Sequence, residues 1–224
     1  MEGRVEALCI AVLGVLGTVA CSSGNSAGND GGAQAALDAS APDAASAAPS
    51  LRFFTGVLDG TDARVGVVAA VHHARVYFCG GKSSYTDLSR WLPGGLDGAG
   101  SFSADETAAM GWAVHATVGT DDVTGTLATG DGGVRNFHAA PVDGRTMAGL
   151  YEGVSPCGKV GLIVSQASPD ETPVSLGACI GNGSTDIHQV NPVGPLVFSP
   201  DGTIGVAVSG TTETLALTPA VVAD

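Results

Sequence analysis

From residue 51 onward, apolar residues recur in short runs of three to eight positions, and turn-forming residues separate the runs. The runs are Leu51 to Leu58, Arg64 to Val71, Arg75 to Cys79, Trp112 to Val118, Val123 to Ala128 and Val134 to Ala140, then Thr146 to Tyr151, Lys159 to Gln166, Pro173 to Ile180, Leu196 to Phe198, Ile204 to Val208 and Thr214 to Leu217. Their length and β-branched content predict strands. In WAVHATV, residues Trp112, Val114, Ala116 and Val118 share one face while Ala113, His115 and Thr117 share the other, so one face packs inward and the other meets water. No segment shows helical period, length and a capping signal together; Ser103 to Met110 comes nearest, at about two turns.

The punctuation fits hairpins. Asp59-Gly60, Asp97-Gly98, Asp131-Gly132, Asp143-Gly144, Asn182-Gly183 and Asp201-Gly202 are dipeptides that tolerate the positive φ angles of tight turns. The prediction for residues 51–224 is therefore an all-β domain, a single antiparallel meander forming a β-barrel or β-sandwich. Its aromatic residues are spread about one per element, as a common core requires, and Trp91 in RWLPGG is assigned to core packing.

The N-terminal part has a different pattern. Leu8 to Ala20 is an apolar stretch of thirteen residues, too short to cross a bilayer, which takes about twenty; it reads as a signal-peptide core, giving a signal peptide over 1–20. Thr18-Val19-Ala20-Cys21 follows and resembles a bacterial lipobox, in which small residues precede a cysteine that receives diacylglycerol before cleavage. The resemblance implies a lipoprotein with acyl chains such as palmitate on Cys21, attached to a membrane by lipid and not spanning it. Ser22 to Ser50 has no aromatic residue and consists mainly of Ala, Ser, Gly, Asp and Pro, a composition expected to form a disordered linker over 21–50. The order RVYFCGG, WLPGG, VTGTLATGDGGVRNFHAA and GLYEG over roughly 53–153 resembles uncharacterised β-rich domains of secreted and lipid-anchored bacterial proteins, which supports the fold and transfers no catalytic residue. The implied location is the bacterial cell envelope, with the domain outside the cytoplasm, at the outer membrane or the periplasmic face.

Charge narrows the partners. The chain carries nine Lys and Arg against 22 Asp and Glu, a net charge of −13, and residues 51–224 alone are near −9. Nucleic-acid binding, which rests on Lys and Arg releasing counterions, is not expected. Of the five cysteines, Cys79, Cys157 and Cys179 lie in the β-rich part. Export implies oxidising conditions, and Cys157 with Cys179 flank a hairpin whose turn is Ser168-Pro169-Asp170-Glu171, so a disulfide between them is predicted, with Cys79 a buried thiol; pairing of Cys79 with either partner is the rival.

The one Gly-x-Ser-x-Gly, Gly24 to Gly28, falls in the Ala- and Ser-rich N-terminal segment outside the predicted strands and has no strand–turn–helix context; no Ser-x-x-Lys, His-Glu-x-x-His or Cys-x-x-Cys is present, and no His stands at ligand-like spacing from a Cys. No catalytic or metal-ligating residue and no cofactor are assigned on this basis. His72 and His73 fall in a predicted hairpin loop, His188 in a Pro-bounded loop, and His115 and His138 on the wet faces of neighbouring strands. Three readings follow: an envelope-anchored lipoprotein whose non-catalytic β domain binds an unknown protein or small ligand through loops or a barrel mouth; a hydrolase of envelope polymers using His115 or His138 with an Asp; and a structural or inhibitory lipoprotein.

Overall fold

The computed structural model describes residues 50–106, 111–181 and 186–223. Fourteen strands and one short helix run through them in order: β1 Arg52–Leu58, β2 Arg64–Ala69, β3 His73–Cys79, α1 Tyr85–Leu88, β4 Arg90–Leu96, β5 Ser101–Asp105, β6 Ala113–Val118, β7 Val123–Ala128 and β8 Val134–Pro141, then β9 Gly149–Ser155, β10 Gly158–Ser165, β11 Val174–Ile180, β12 Ile187–Pro192, β13 Ile204–Val208 and β14 Thr214–Pro219. Every pairing is antiparallel, as the alternation predicts. The expected signal peptide, Cys21 and the expected linker lie outside the described residues, apart from Ser50.

The meander closes twice. Strands β1 to β8 pair in chain order and β8 returns to β1, with Leu58 opposite Phe137 and Phe54 opposite Pro141. Strands β9 to β14 form a second closed sheet, sealed where Thr218 and Pro219 of β14 pair with Glu152 and Tyr151 of β9. Proline, which has no N–H for a ladder, ends β8 at Pro141. The chain then turns through Asp143, whose carboxylate accepts from the backbone and guanidinium of Arg145, and starts the second barrel at Gly149.

Each barrel is filled by side chains, as expected of small closed sheets. Phe54, Val67, Phe78, Leu92, Phe102, Val114, Leu127 and Phe137 occupy the first, with Phe78 and Phe137 edge to face at 5.3 Å. Tyr151, Leu162, Val164, Val190, Ile204, Val206 and Leu217 occupy the second. A third cluster lies between the barrels: Val68, Tyr77 and Cys79 of the first meet Leu150, Ile163, Ala178 and Ala220 of the second, and the two form one compact unit. Strands β2, β3 and β10 are consequently buried on both faces. The backbone of β10 approaches so closely that a Cβ on Gly161 would stand 2.6 Å from the Tyr77 ring and 2.8 Å from Trp91, and Trp91 stacks on Tyr77 at 4.4 Å. Trp91 is thus a packing residue, between the barrels and not inside one.

Several local expectations are corrected. Ser103, placed in the nearest helical candidate, belongs to β5, where exposed Ser101 and Ser103 alternate with buried Phe102 and Ala104; the end of that candidate, 107–110, lies outside the described residues. Residues 196–198 form no strand, and His188 stands on β12, paired through β11 and β13. WLPGG is part of β4, because the strand runs so close to β5 that a Cβ on Gly94 would lie 2.2 Å from the Ser103 carbonyl.

The sulfurs of Cys157 and Cys179 are at disulfide distance, with Cα atoms 6.3 Å apart, as predicted. Closing a loop of 22 residues contributes about 3 kcal/mol in the chain-entropy account. Cys79 is the buried free thiol; burial pushes it up to about 11, against the hydrogen bonds of Tyr77 and Ser89 that lower it.

Candidate functional site: the mouth of the first barrel

Three connections meet at one end of the first barrel: β1–β2, β3–β4 with α1, and β7–β8. Between them lies a depression of about 1070 Å³, lined by Thr61 and Asp62 of the first loop, Ser83, Ser84 and Asp87 of the second, Thr129 and Asp131 of the third, and Trp112 before β6, with Arg90 and Arg135 from the adjoining strand starts. A barrel mouth is a recurrent place for small ligands, since a rigid sheet holds loops of independent sequence around one concavity.

The loops are held by their own side chains. Asp62 accepts from the backbone N–H of Ser83 at 2.9 Å, from its hydroxyl at 2.6 Å, and from the Ser84 hydroxyl. The two hydroxyls first, then the N–H, hold this carboxyl far below the usual range. Asp131 accepts from the Thr129 hydroxyl and the Gly133 N–H, which with the Arg135 charge lower it as well. Gly60 and Gly132 supply the positive φ of two of these turns, 71° and 82°, at two predicted Asp-Gly dipeptides.

The cations sit deeper than the anions. Arg90 is 8% exposed, with its guanidinium carbon 5.3 Å from the centre of the Trp112 ring. Burial lowers its proton affinity and the Glu106 charge restores part of it, and a guanidinium remains charged in either case. Arg135 is half-buried and donates from Nη1 to Thr129 at 3.3 Å. Asp62, Asp87 and Asp131 are exposed. A carboxylate stabilised as strongly as Asp62 is a weak base and does not activate the serines that bond to it. The mouth is equipped to hold a polar molecule by fixed charges and hydroxyls.

The histidines singled out in the sequence lie elsewhere. His115 and His138 line a second, shallow depression of about 1040 Å³ on the outer face of β5 to β8. The register sets two rows across these strands, Ser103, His115, Thr126 and Asn136 in one, and Ser101, Thr117, Thr124 and His138 in the other. The two imidazoles are thus separated by β7. His115 Nδ1 is 3.3 Å from the Ser103 hydroxyl, and His138 Nε2 is 3.8 Å from Asp122, with both side chains more than half exposed. An open sheet face leaves these groups in water, where a hydroxyl gains little nucleophilicity. His72 lies in the β2–β3 turn at the edge of the same depression, His73 begins β3, and His188 Nε2 meets Asp186 at 2.9 Å in the second barrel. Among the described residues no group of three or more His, Cys, Asp or Glu is placed to hold a metal ion.

Sequence reasoning missed Arg90, Arg135 and Trp112 as a set, because closure of an eight-stranded sheet, and no spacing, brings them together. One signal was available: Lys and Arg are scarce, nine in the chain, so any two sharing a concavity stand out. No family model, curated protein or solved structure matches the chain, so its function has to be read from the mouth of the first barrel itself.

Proposed function

We propose that this protein is an envelope-anchored lipoprotein whose β domain binds a small polar ligand, without transforming it, in the mouth of the first barrel. The observation that carries the binding reading is the convergence of three loops on Arg90, Arg135 and Trp112 in one concavity. Supporting it are a hydroxyl-rich lining and aspartates whose hydrogen bonds shape loops. The anchor rests on the apolar leader and Cys21. The Ala-, Ser- and Gly-rich composition of residues 22–50 suits a spacer between that anchor and the domain.

Two measurements test the two halves. Cells expressing the full chain and fed radiolabelled palmitate should label the protein, and Cys21→Ala should abolish the label and release the domain from the membrane fraction; a labelled Cys21→Ala chain would overturn the anchor. A screen of small polar compounds by tryptophan fluorescence should yield a ligand whose affinity falls at least tenfold in Arg135→Gln. Arg135 is half-buried at a strand start, so this variant should melt within a few degrees of the wild type. Binding that is indifferent to Arg135→Gln would remove the mouth from consideration.

A further inference from the structure

The charges in the mouth have an order. Two guanidiniums, one nearly buried and one half-buried, stand on the wall, and three exposed carboxylates stand on the loops that surround them. A purely anionic ligand would be drawn by Arg90 and Arg135 but would pass Asp62, Asp87 and Asp131, in a domain already near −9. A purely cationic ligand would meet the carboxylates first and then face two guanidiniums within. Like charges brought together in one concavity repel, so either single-signed ligand is opposed by part of the site. A molecule with an oxyanion at one end and an ammonium at the other is opposed by neither, and having no net charge it approaches the acidic domain without repulsion.

Resting on the mouth as the ligand site, we propose that the ligand is an amino-acid-like zwitterion, a free amino acid or short peptide, entering carboxylate first. Its carboxylate meets Arg135, whose planar fork suits bidentate capture, with the Arg90 charge behind it. Its ammonium stays at Asp87, the exposed carboxylate of the β3–β4 loop, which accepts from the Thr86 hydroxyl and keeps lone pairs for the ligand. The Arg90 to Trp112 stacking presets one guanidinium, so little rotamer freedom is lost on binding. Binding alone is proposed, with no bond made or broken.

The test uses the full chain, isothermal titration calorimetry and a panel built on one backbone: L-alanine, L-alanyl-L-alanine, their N-acetyl derivatives, their C-terminal amides, and an uncharged disaccharide as control. The zwitterions should bind, and removal of either charge should weaken binding at least tenfold. In Arg135→Gln the acid and its amide should bind alike, while in Asp87→Asn the amine and its N-acetyl form should bind alike. Each variant thus erases one discrimination and keeps the other, a pattern that general destabilisation does not produce. Capped derivatives binding as well as the parents, or zwitterions failing to bind at all, overturns the ligand class. If the disaccharide binds instead and its affinity depends on Arg135, the mouth stands and only the class falls; if whatever binds ignores Arg135→Gln, both fall.

Discussion

Replacing Tyr77 by alanine should destabilise the domain by about 4–5 kcal/mol, the upper range for deleting a buried aromatic. The ring is fully buried between the barrels and stacks on Trp91. Its hydroxyl accepts from the Ala178 N–H at 3.1 Å and lies 3.3 Å from the Gly161 carbonyl, to which it donates. Truncation therefore leaves a cavity and also two backbone groups of the second barrel without their partner, in a place water does not reach. Tyr77→Phe keeps the ring and loses only the hydroxyl bonds, so its cost should be about 1–2 kcal/mol. Urea titrations of the full chain, followed by tryptophan fluorescence, separate the two variants. Against a typical stability of about 5–15 kcal/mol, the alanine variant should be marginal at 37 °C. A Tyr77→Ala chain within about 1 kcal/mol of the wild type would mean that the barrels do not share this core.

That the core is shared explains a feature of the sequence which alternation alone leaves out. Strands such as β6 and β5 alternate cleanly, with His115 and Thr117 or Ser101 and Ser103 outside, because one face meets water. RVGVVA and KVGLIV are nearly continuous apolar runs, because Val65 and Val67 fill the first barrel while Val68 faces the second, and Val160 and Leu162 fill the second barrel while Ile163 faces the first. Two-sided burial writes such runs. They marked an interface, yet without coordinates they read only as well-packed strands of one sheet, and the second closure went unseen. Strand β4 was hidden for the opposite reason: Pro93, Gly94 and Gly95 signal a loop, and only the close approach of β5 shows why glycine belongs there. Strand β12, IHQVNP, carries three polar residues and a proline, and its pairing partners give it away where its composition does not. The disulfide was readable because both cysteines flank one hairpin, a local relation. The mouth was not, because Thr61, Asp87, Trp112 and Arg135 are neighbours only once the eight-stranded sheet has closed.

The same interface should make the domain sensitive to acid through Glu152. This β9 carboxylate accepts both arms of the Arg75 guanidinium, at 3.0 and 2.6 Å, the Lys159 ammonium at 3.1 Å and the Val221 N–H at 3.0 Å. Arg75 and Lys159 each lie 4.5 Å from the centre of the Trp91 ring, so a single carboxylate organises two cations around the aromatic that joins the barrels. Burial alone would raise the Glu152 carboxyl, but the Arg75 fork, the Val221 N–H and Lys159 outweigh it and bring it down to about 2 from 4.5. A carboxylate depressed in the folded state stabilises fully above its unfolded value, and that contribution is lost as the pH falls through the folded one. The window is thus about pH 4.5 down to 2. Between pH 6 and pH 3 the wild type should lose on the order of 2 kcal/mol more than Glu152→Gln, which has no proton to take up at this site. Other lowered carboxyls, Asp62 and Asp143 among them, titrate equally in both chains and cancel in the difference. At pH 7 the order of costs should reverse in emphasis: Glu152→Ala, which strands Arg75 and Lys159 beside Trp91, should cost about 3–5 kcal/mol, as breaking a largely buried pair does. Urea midpoints of the three chains at pH 3 and pH 6 decide the matter, and parallel acid sensitivity of wild type and Glu152→Gln would show that the carboxylate does not hold the barrels together.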